Sequence, residues 1–316
     1  MTQDDAALKN DRLSFSLMSI AFSHFNEKAR WALDYYNVPY VEYRSLPVFH
    51  MISMYSHKAK TSSPGTTPFV TPFLMATPKE GESEDKITLN NSTKILGFLS
   101  EQFAAPPNSG EQHASSSSAP ANLYSDDAAT KEKILALEER FGTMIGPHVR
   151  RYMYYEMLLH SPASVCRGLG QHDNAGKLQT WLWVLFFPLI SRMLLKVMRV
   201  SEESGVRSKE ILKREFDQIS RVLESGPAGP AYLVGNQFSA ADLTLSSLAG
   251  LVVGITQDDG YGAWVPSVSE FRPEAQAFCE ELRQTTAGKH ILECYKLHRG
   301  QKAPGSSYGF KFFGLW

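Results

Sequence analysis

The chain has 316 residues, of which 43% are hydrophobic, 11% aromatic and 21% charged, and this composition excludes a disordered or fibrous protein. The length exceeds what one hydrophobic core usually serves, so we expect two domains. Lysine and arginine number 32 against 33 acidic residues, which argues against nucleic acid as a partner, because neutralising phosphates needs a concentrated cationic surface.

The amino-terminal segment, residues 1–12, is acidic and lacks an apolar stretch, so it matches neither a secretory signal nor an arginine-rich transit peptide. We expect this segment to be disordered. The three cysteines, Cys166, Cys279 and Cys294, lie too far apart for a metal knuckle or a redox pair, and three cannot all pair with one another. We therefore expect a reducing, cytoplasmic location and no metal.

Residues 13–103 alternate short strands with helices. Apolar residues at every second position predict the first strand, and the helix and strand that follow it predict a right-handed unit with parallel strands. Two further strands predict a hairpin around a polar turn, so the expected domain is a small α/β fold with a four-stranded mixed sheet. The predicted strands cover residues 13–20, 40–46, 68–76 and 86–89, and the predicted helices cover residues 25–37 and 92–103.

The first predicted helix is amphipathic. Its apolar residues, including Ala29 and Leu33, share one face, a pattern typical of a helix that packs one side on a core. The opposite face carries four charged side chains: Glu27, Lys28, Arg30 and Asp34.

The remainder of the chain divides into a linker, a helical domain and a tail. Residues 104–128 are rich in serine and proline, cannot bury enough apolar surface to offset their ordering entropy, and are expected to be an exposed, mobile linker or insertion. Residues 129–298 predict an all-helical domain, in which Ser239 and Asp242 form a capping box at a helix start. Residues 299–316 form a tail. The helical patterns cover residues 129–160, 174–200, 207–225, 239–253 and 272–298.

One segment of the helical domain, residues 180–200, is a membrane candidate. Its uncharged apolar stretch, residues 181–190, is about half the roughly 20 residues that a spanning helix needs. Pro188, Arg192 and Lys196 then interrupt it. The segment therefore predicts a buried core helix and no stable membrane span, with a membrane-associated protein as the rival interpretation.

Four segments of the chain resemble the glutathione transferase family, in the family's order: FSHFNEKARWALDYYNVPY, TTPFVTPFL, LNNSTKILGFL and GNQFSAADLTLSSL. The resemblance covers residues 13–103 and 129–298, and it is to a bacterial-type subgroup and its eukaryotic relatives. It implies an α/β plus all-α fold, in which a thioredoxin-like glutathione-binding domain precedes an all-helical domain. It also implies glutathione as co-substrate, a small hydrophobic electrophile as second substrate, and a homodimer.

The resemblance assigns the catalytic role to Ser23, at the junction between the first strand and the first helix. The hydroxyl would donate a hydrogen bond to the sulfur of glutathione and favour the thiolate, which is the nucleophile. The start of the helix adds positive partial charge. A serine at this position also caps a helix without any chemistry, and the sequence alone leaves both interpretations open. The motif Ser23-His24-Phe25-Asn26 has no thiol at either end, so no mixed disulfide can form there.

The resemblance also implies four glutathione-binding residues. Thr67 would pair with the cysteinyl part of glutathione and Pro68 would carry the family's cis peptide bond, with Pro72 as the competing position. Ser92 and the free amides of its helix would hold the γ-glutamyl carboxylate. Asn91 stands where the family has an acidic residue, so it would bind the glutathione ammonium group without a charge. Both residues also fit simple helix capping.

The second substrate is expected between the domains, against the first long helix after the linker. Arg150, Arg151, Tyr154 and Tyr155 lie in that helix, although they face more than one direction and only some can reach a pocket. His24 is expected to be a surface residue or a residue at the helix start. The sequence thus predicts a glutathione transferase with Ser23 as its activating residue, and a non-catalytic binding or interaction protein of the same fold is the alternative.

Overall fold

The computed structural model describes residues 12–56, 69–79, 86–105, 120–170, 173–225 and 232–310, and its amino-terminal part is built on a mixed sheet. The predicted parallel unit is confirmed, since β1 and β2 pair in parallel with Phe15 opposite Tyr40. The predicted hairpin is also confirmed, because β3 and β4 are antiparallel. The elements of this part are β1 (Leu13–Ile20), α1 (His24–Tyr35), β2 (Tyr40–Ser45), α2 (Phe49–Ser56), β3 (Phe73–Pro78), β4 (Ile87–Asn90) and α3 (Ser92–Phe103).

Helices cover both faces of this sheet. On one face α1 and α3 pack together, with Ala29 and Leu33 of α1 and Leu96 of α3 fully buried in the main core. On the other face Met54 of α2 joins a small cluster with Phe73. Alternating side chains of each strand feed these two cores, which is why the strands carry a period of two.

A fifth strand corrects the expectation of four. The tail residues Ser307–Gly309 form β5, which pairs in parallel with β2 and gives the sheet the order β4-β3-β1-β2-β5. The amide of Tyr40 also donates to the hydroxyl of Ser306 at 3.0 Å. Without β5, one side of β2 would present unpaired backbone groups at the sheet edge. The tail therefore completes the first domain rather than standing outside it.

The second half of the chain is helical, as predicted. The helix α9 is buried along its whole length, and the carboxylate of Asp242 accepts the amide of Ser239 at 3.0 Å, so the predicted return bond at its start is confirmed. The stretch 272–298 forms two helices, because Thr285 between them has extended backbone. The helices are α4 (Ala128–Arg140), α5 (Gly146–Tyr154), α6 (Pro162–Gly168), α7 (Lys177–Val197), α8 (Glu202–Glu224), α9 (Ala240–Ala249), α10 (Pro273–Gln284) and α11 (Thr286–His298).

The end of the predicted linker is packed rather than exposed. Leu123 and Tyr124 are buried, and the carbonyl of Leu123 accepts the amide of Ala240 at 2.9 Å. The two apolar side chains explain the difference, because they supply the buried surface that the serine-rich part lacks. Residues 106–119 of the linker, and residues 1–11 of the segment predicted to be disordered, lie outside the described residues.

The membrane candidate forms α7, and its expected burial is wrong. By length and composition α7 is the one helix of the described residues that is long and apolar enough to cross a membrane, and 28% of its apolar window is buried. A single stripe faces the core, made of Gln179, Trp183, Phe187, Ile190 and Leu194. The apolar composition of α7 predicted a helix buried on all sides, but α7 packs on the core through one side, and much of its remaining apolar surface is exposed.

Candidate functional site at the domain junction

A cavity of about 690 Å³ lies between the first domain and the helical domain. Its first-domain wall consists of Phe25 of α1, the segment 70–72 and the start of α3, and Leu135 of α4 and Arg150 of α5 face it from the helical side. A volume of this size suits a small-molecule ligand, and a junction between domains is a common place for one.

The start of α3 forms one wall of the cavity, and both residues predicted there, Asn91 and Ser92, line it. Asn91 caps the helix, because its Oδ1 accepts the amide of Thr93 at 2.8 Å. Its φ of 124° is rare for any residue other than glycine, and such backbone persists only where the surroundings impose it. Ser92 follows as the first helical residue and is buried. The free amides of this helix start give the wall positive partial charge.

Two ionisable side chains of the helical domain add charge to the cavity. Arg150 of α5 and Glu139 of α4 both line it, and neither makes an ion pair with another described residue. A guanidinium and a carboxylate on one wall provide partners for a ligand that carries both signs of charge.

A buried ion pair joins the two domains at this cavity. Lys28 Nζ of α1 donates to Glu138 Oε1 of α4 at 2.6 Å, and both side chains are 1% exposed. Lys28 also donates to the hydroxyl of Thr93, and Tyr124 donates to the other oxygen of Glu138 at 2.8 Å. Burial lowers the pKa of Lys28, and Glu138 partly offsets that effect. Sequence reasoning missed this pair, because its members are separated by 110 residues and neither stands in a motif.

Ser23 occupies the position that caps α1. Its carbonyl accepts the amides of Asn26 and Glu27, both at 2.9 Å, while its hydroxyl makes no capping bond with the helix. The side chain is partly buried. Of the described residues on α1, Phe25 and Lys28 line the cavity and Ser23 does not. The hydroxyl is therefore not used by the cap, and Ser23 is not part of the cavity wall.

His24 is the first residue of α1, in line with one of the two expectations, but it is buried at 3% exposure and is not a surface residue. Its Nε2 lies 3.0 Å from the carbonyl of Gly146, to which it donates. Burial, together with the nearby charge of Arg150, lowers the pKa of His24 to about 3, so the ring is neutral near pH 7. The Phe25 ring packs on Gly146 so closely that a Cβ there would lie 2.4 Å from Phe25 Cζ. These contacts fix the start of α1 against α5.

The competing position for the cis peptide bond, Pro72, does carry one. Thr67 and Pro68 lie outside the described residues, and the cis bond is found at Thr71–Pro72, immediately before β3. Two such pairs stand four residues apart, so spacing alone could not decide between them, and the prediction for Pro68 stays untested. Nδ2 of Asn26 donates a hydrogen bond to the hydroxyl of Thr71 at 3.3 Å, and this bond connects the segment before β3 to α1.

The other predicted pocket residues of α5 diverge in direction. Arg150 lines the cavity, whereas the Tyr155 hydroxyl donates to Glu202 at the start of α8, at 2.7 Å. Tyr154 is buried. Of the four residues predicted there, Arg150 alone is placed to meet a ligand in the cavity, since Arg151 does not line it either.

Neither cysteine with a described side chain is suited to nucleophilic chemistry. Burial raises the pKa of the Cys279 thiol to about 11 and raises that of Cys294 further. The thiolate is the reactive form, so both are inert near neutral pH. Within the described ranges, no group of three histidine, cysteine, aspartate or glutamate side chains is placed to hold a metal ion.

Solved structures of three proteins are similar to this chain. The β-etherase LigF from Sphingobium sp. strain SYK-6 has a TM-score of 0.50 at 13% identity, covering 89% of this chain and 99% of that one. The glutathione transferase URE2P8 from Phanerochaete chrysosporium has a TM-score of 0.45 at 16% identity, covering 92% of this chain and 98% of that one. Maleylacetoacetate isomerase from Anaeromyxobacter dehalogenans 2CP-1, solved with bound glutathione, has a TM-score of 0.45 at 17% identity. The match covers 93% of this chain and 99% of that one.

The sequence matches no protein-family model and no curated protein. The architecture nevertheless defines the class: a thioredoxin-like domain with a small mixed sheet, followed by an all-helical domain. This is the fold class that the resemblance implied, and LigF has the same fold.

Proposed function

We propose that the protein binds glutathione in the cavity at the domain junction and transfers it to a small hydrophobic electrophile. The wall formed by Asn91 and Ser92 carries this proposal, because a helix start with free amides suits the γ-glutamyl carboxylate. Arg150 offers a partner for the second carboxylate and Glu139 for the ammonium group. Phe25 supplies apolar surface for the electrophile, as does Leu135. A homodimer in the cytoplasm is part of the same proposal, by analogy with the family.

Ser23 is the proposed activating residue. Its hydroxyl is free of the cap and stands at the start of α1, where the helix dipole favours an anion. Lowering a thiol pKa by two units requires about 2.7 kcal/mol. A hydrogen bond to a charged group contributes about 1.5–3 kcal/mol, so one serine donor and the dipole together are sufficient. The neutral ring of His24 adds no positive charge to this effect.

Replacing Ser23 with alanine tests the transferase. Turnover of an activated aryl halide with glutathione is expected to fall about 10- to 100-fold in kcat/KM, since the thiolate loses its donor. The glutathione Kd measured by calorimetry is expected to stay within about twofold. Ser92→Ala is the contrasting variant, because it should raise the KM for glutathione more than it lowers kcat. Equal turnover in Ser23→Ala and wild type would contradict the role of Ser23.

A non-catalytic glutathione-binding protein is the second candidate. It is favoured by one observation, that Ser23 is not among the described residues that line the cavity. Glutathione binding without turnover of any aryl halide would support this candidate over the transferase. No calorimetric binding at millimolar glutathione would contradict both.

Asn91 provides a separate test of the cavity. Asn91→Asp is expected to tighten glutathione binding about fivefold, because a carboxylate would pair with the ammonium group through a charge-assisted bond. Aspartate caps a helix as well as asparagine does, so the bond to the amide of Thr93 should persist. Calorimetry measures the change, and Asn122→Asp, a substitution of the same kind away from the cavity wall, is the control. Weaker binding by Asn91→Asp would place the ammonium group elsewhere.

A further inference from the structure

The outward face of α7 is an exposed apolar surface with a cationic end. Side chains three or four positions apart share one side of a helix, and on this side four apolar residues are followed by two basic ones. We call these six residues the α7 surface: Leu178, Trp181, Leu185, Leu189, Arg192 and Lys196. They lie opposite the stripe that packs on the core.

The apolar residues of the α7 surface are strongly exposed to solvent. Leu178, Trp181, Leu185 and Leu189 are 46%, 61%, 55% and 67% exposed. Phe186 on one flank is 47% exposed as well. Single exposed apolar side chains are normal in proteins, but a contiguous row along one helix indicates an interaction site. The row from Leu178 to Leu189 extends for about 16 Å at about 1.5 Å per residue.

The charged side chains of the stretch that contains this surface have one sign, although Asp173 lies just before the stretch, in a pocket with Lys177 and Trp181. Residues 174–201 contain four basic side chains, Lys177, Arg192, Lys196 and Arg199, and no aspartate or glutamate. None of the four makes an ion pair with a described residue. Four basic side chains without a described acidic partner, beside exposed leucine and tryptophan, match the chemistry of an anionic lipid interface.

We propose that the α7 surface docks on an anionic phospholipid bilayer, with α7 parallel to the membrane plane. Leucine and tryptophan would enter the boundary between headgroups and acyl chains, and the basic side chains would pair with lipid phosphates. This inference is independent of the proposed transferase activity.

The structure favours a membrane surface over two other arrangements. A second copy packed on the same face would offer the basic side chains no acidic partner on the facing helix, because α7 contains no aspartate or glutamate. A spanning helix would have to withdraw Trp183 and Leu194 from the core, where they are 0% and 4% exposed. An in-plane helix keeps those contacts and covers only the open side.

Vesicle sedimentation of the full chain tests the proposal. We expect binding to mixed phosphatidylserine–phosphatidylcholine vesicles, at least tenfold weaker binding to pure phosphatidylcholine, and loss of binding as salt is raised. Leu185→Glu combined with Leu189→Glu should weaken binding at least tenfold. The matched control is Val206→Glu with Val222→Glu on α8, where the valines are 48% and 46% exposed, and it should bind as wild type does.

The cationic part has its own test. Arg192→Gln with Lys196→Gln should weaken binding to the anionic vesicles about 25-fold, at about fivefold for each charge near the surface. The proposal is overturned if the full chain stays in the supernatant with anionic vesicles, or if the glutamate pair and its control bind equally. It is also overturned if light scattering shows a dimer that the glutamate pair alone dissociates, because a second copy is then the occupant.

Discussion

Arg299→Met is expected to lower the free energy of unfolding by about 3–5 kcal/mol, the usual effect of removing one partner from a buried ionic group. Arg299 is 3% exposed, and its guanidinium donates to Glu27 at 2.8 Å and to Asp34 at 3.0 Å. Methionine retains much of the aliphatic part of the arginine side chain, so the decrease in stability can be attributed to removal of the charge. Denaturant unfolding of the full chain measures it.

The size of this effect follows from the network to which Arg299 belongs. Three carboxylates and three guanidinium groups are buried together, so the charges balance and removal of one cation leaves a net negative charge in the interior. Backbone groups of the helical domain complete the network, since Arg44 donates to the carbonyl of Gly262 at 2.6 Å. The charged members are Glu27, Asp34, Glu42, Arg30, Arg44 and Arg299.

An exposed ion pair provides the control for Arg299. Arg207→Met on α8 removes an equally short bond, at 2.6 Å to Glu203, but its side chain is 63% exposed and the loss should be about 0.5 kcal/mol or less. Equal losses in the two variants would contradict the network's role. Proteolysis should also cut the Arg299→Met tail sooner, because the amide of Ala303 is held by Asp34.

The Arg299 effect has a predictable pH dependence. Burial alone would raise the pKa of Glu27, but Arg299 and Arg30 outweigh it and hold that pKa below its usual value of 4.5. A lowered carboxyl pKa stabilises the folded state above the unfolded value, and this stabilisation is lost as pH falls through the folded value. The stability difference between wild type and Arg299→Met should therefore be largest above about pH 5 and should narrow below about pH 4.

Lys28→Met is also expected to lower the free energy of unfolding by about 3–5 kcal/mol, because it leaves the carboxylate of Glu138 buried without its cation. The pair bridges α1 and α4, so the variant should also loosen the junction that forms the cavity. Thermal and denaturant unfolding measure the stability, and hydrogen exchange in α4 measures the loosening.

A double variant separates the charge from the packing of Lys28. Lys28→Met with Glu138→Gln removes the unpaired charge, while the amide oxygen of the new glutamine would still accept the Tyr124 hydroxyl. The double variant should therefore recover about 2 kcal/mol relative to Lys28→Met alone. A double variant less stable than Lys28→Met would show that the lost packing, and not the charge, sets the cost.

The helix α1 shows how far a local pattern can be trusted. Its apolar stripe predicted the helix and the face that packs on the sheet, and both are observed. Its charged face is buried as well, with Glu27 at 0% and Arg30 at 1% exposure. The partners come from β2, α4 and the tail, up to 272 residues away, so no window of the sequence contains them. The spacing of apolar residues shows which face of a helix prefers burial, but it does not show which side chains from other elements pack against the opposite face.

The candidate site was predictable only in part. The start of α3 carries a local signal, a capping residue before an apolar run, and the structure places Asn91 and Ser92 on the cavity wall. The position of the Ser23 hydroxyl relative to the cavity, and the cis bond at Pro72, depend on how α1 and β3 are set in space. The helical domain also contributes residues to the cavity wall, such as Arg150. Which residues of a helix reach the cavity depends on how the two domains pack together.

Local patterns in the sequence predict most of the elements, the parallel pairing of β1 with β2, the helical second half and the cap of Asp242 at α9, because each depends on side chains a few positions apart. They do not predict α2 or α6, the addition of β5 by the tail, the burial of the charges of α1, or the open apolar row of α7. Those outcomes depend on contacts between residues far apart in the chain, whose energies no local pattern contains.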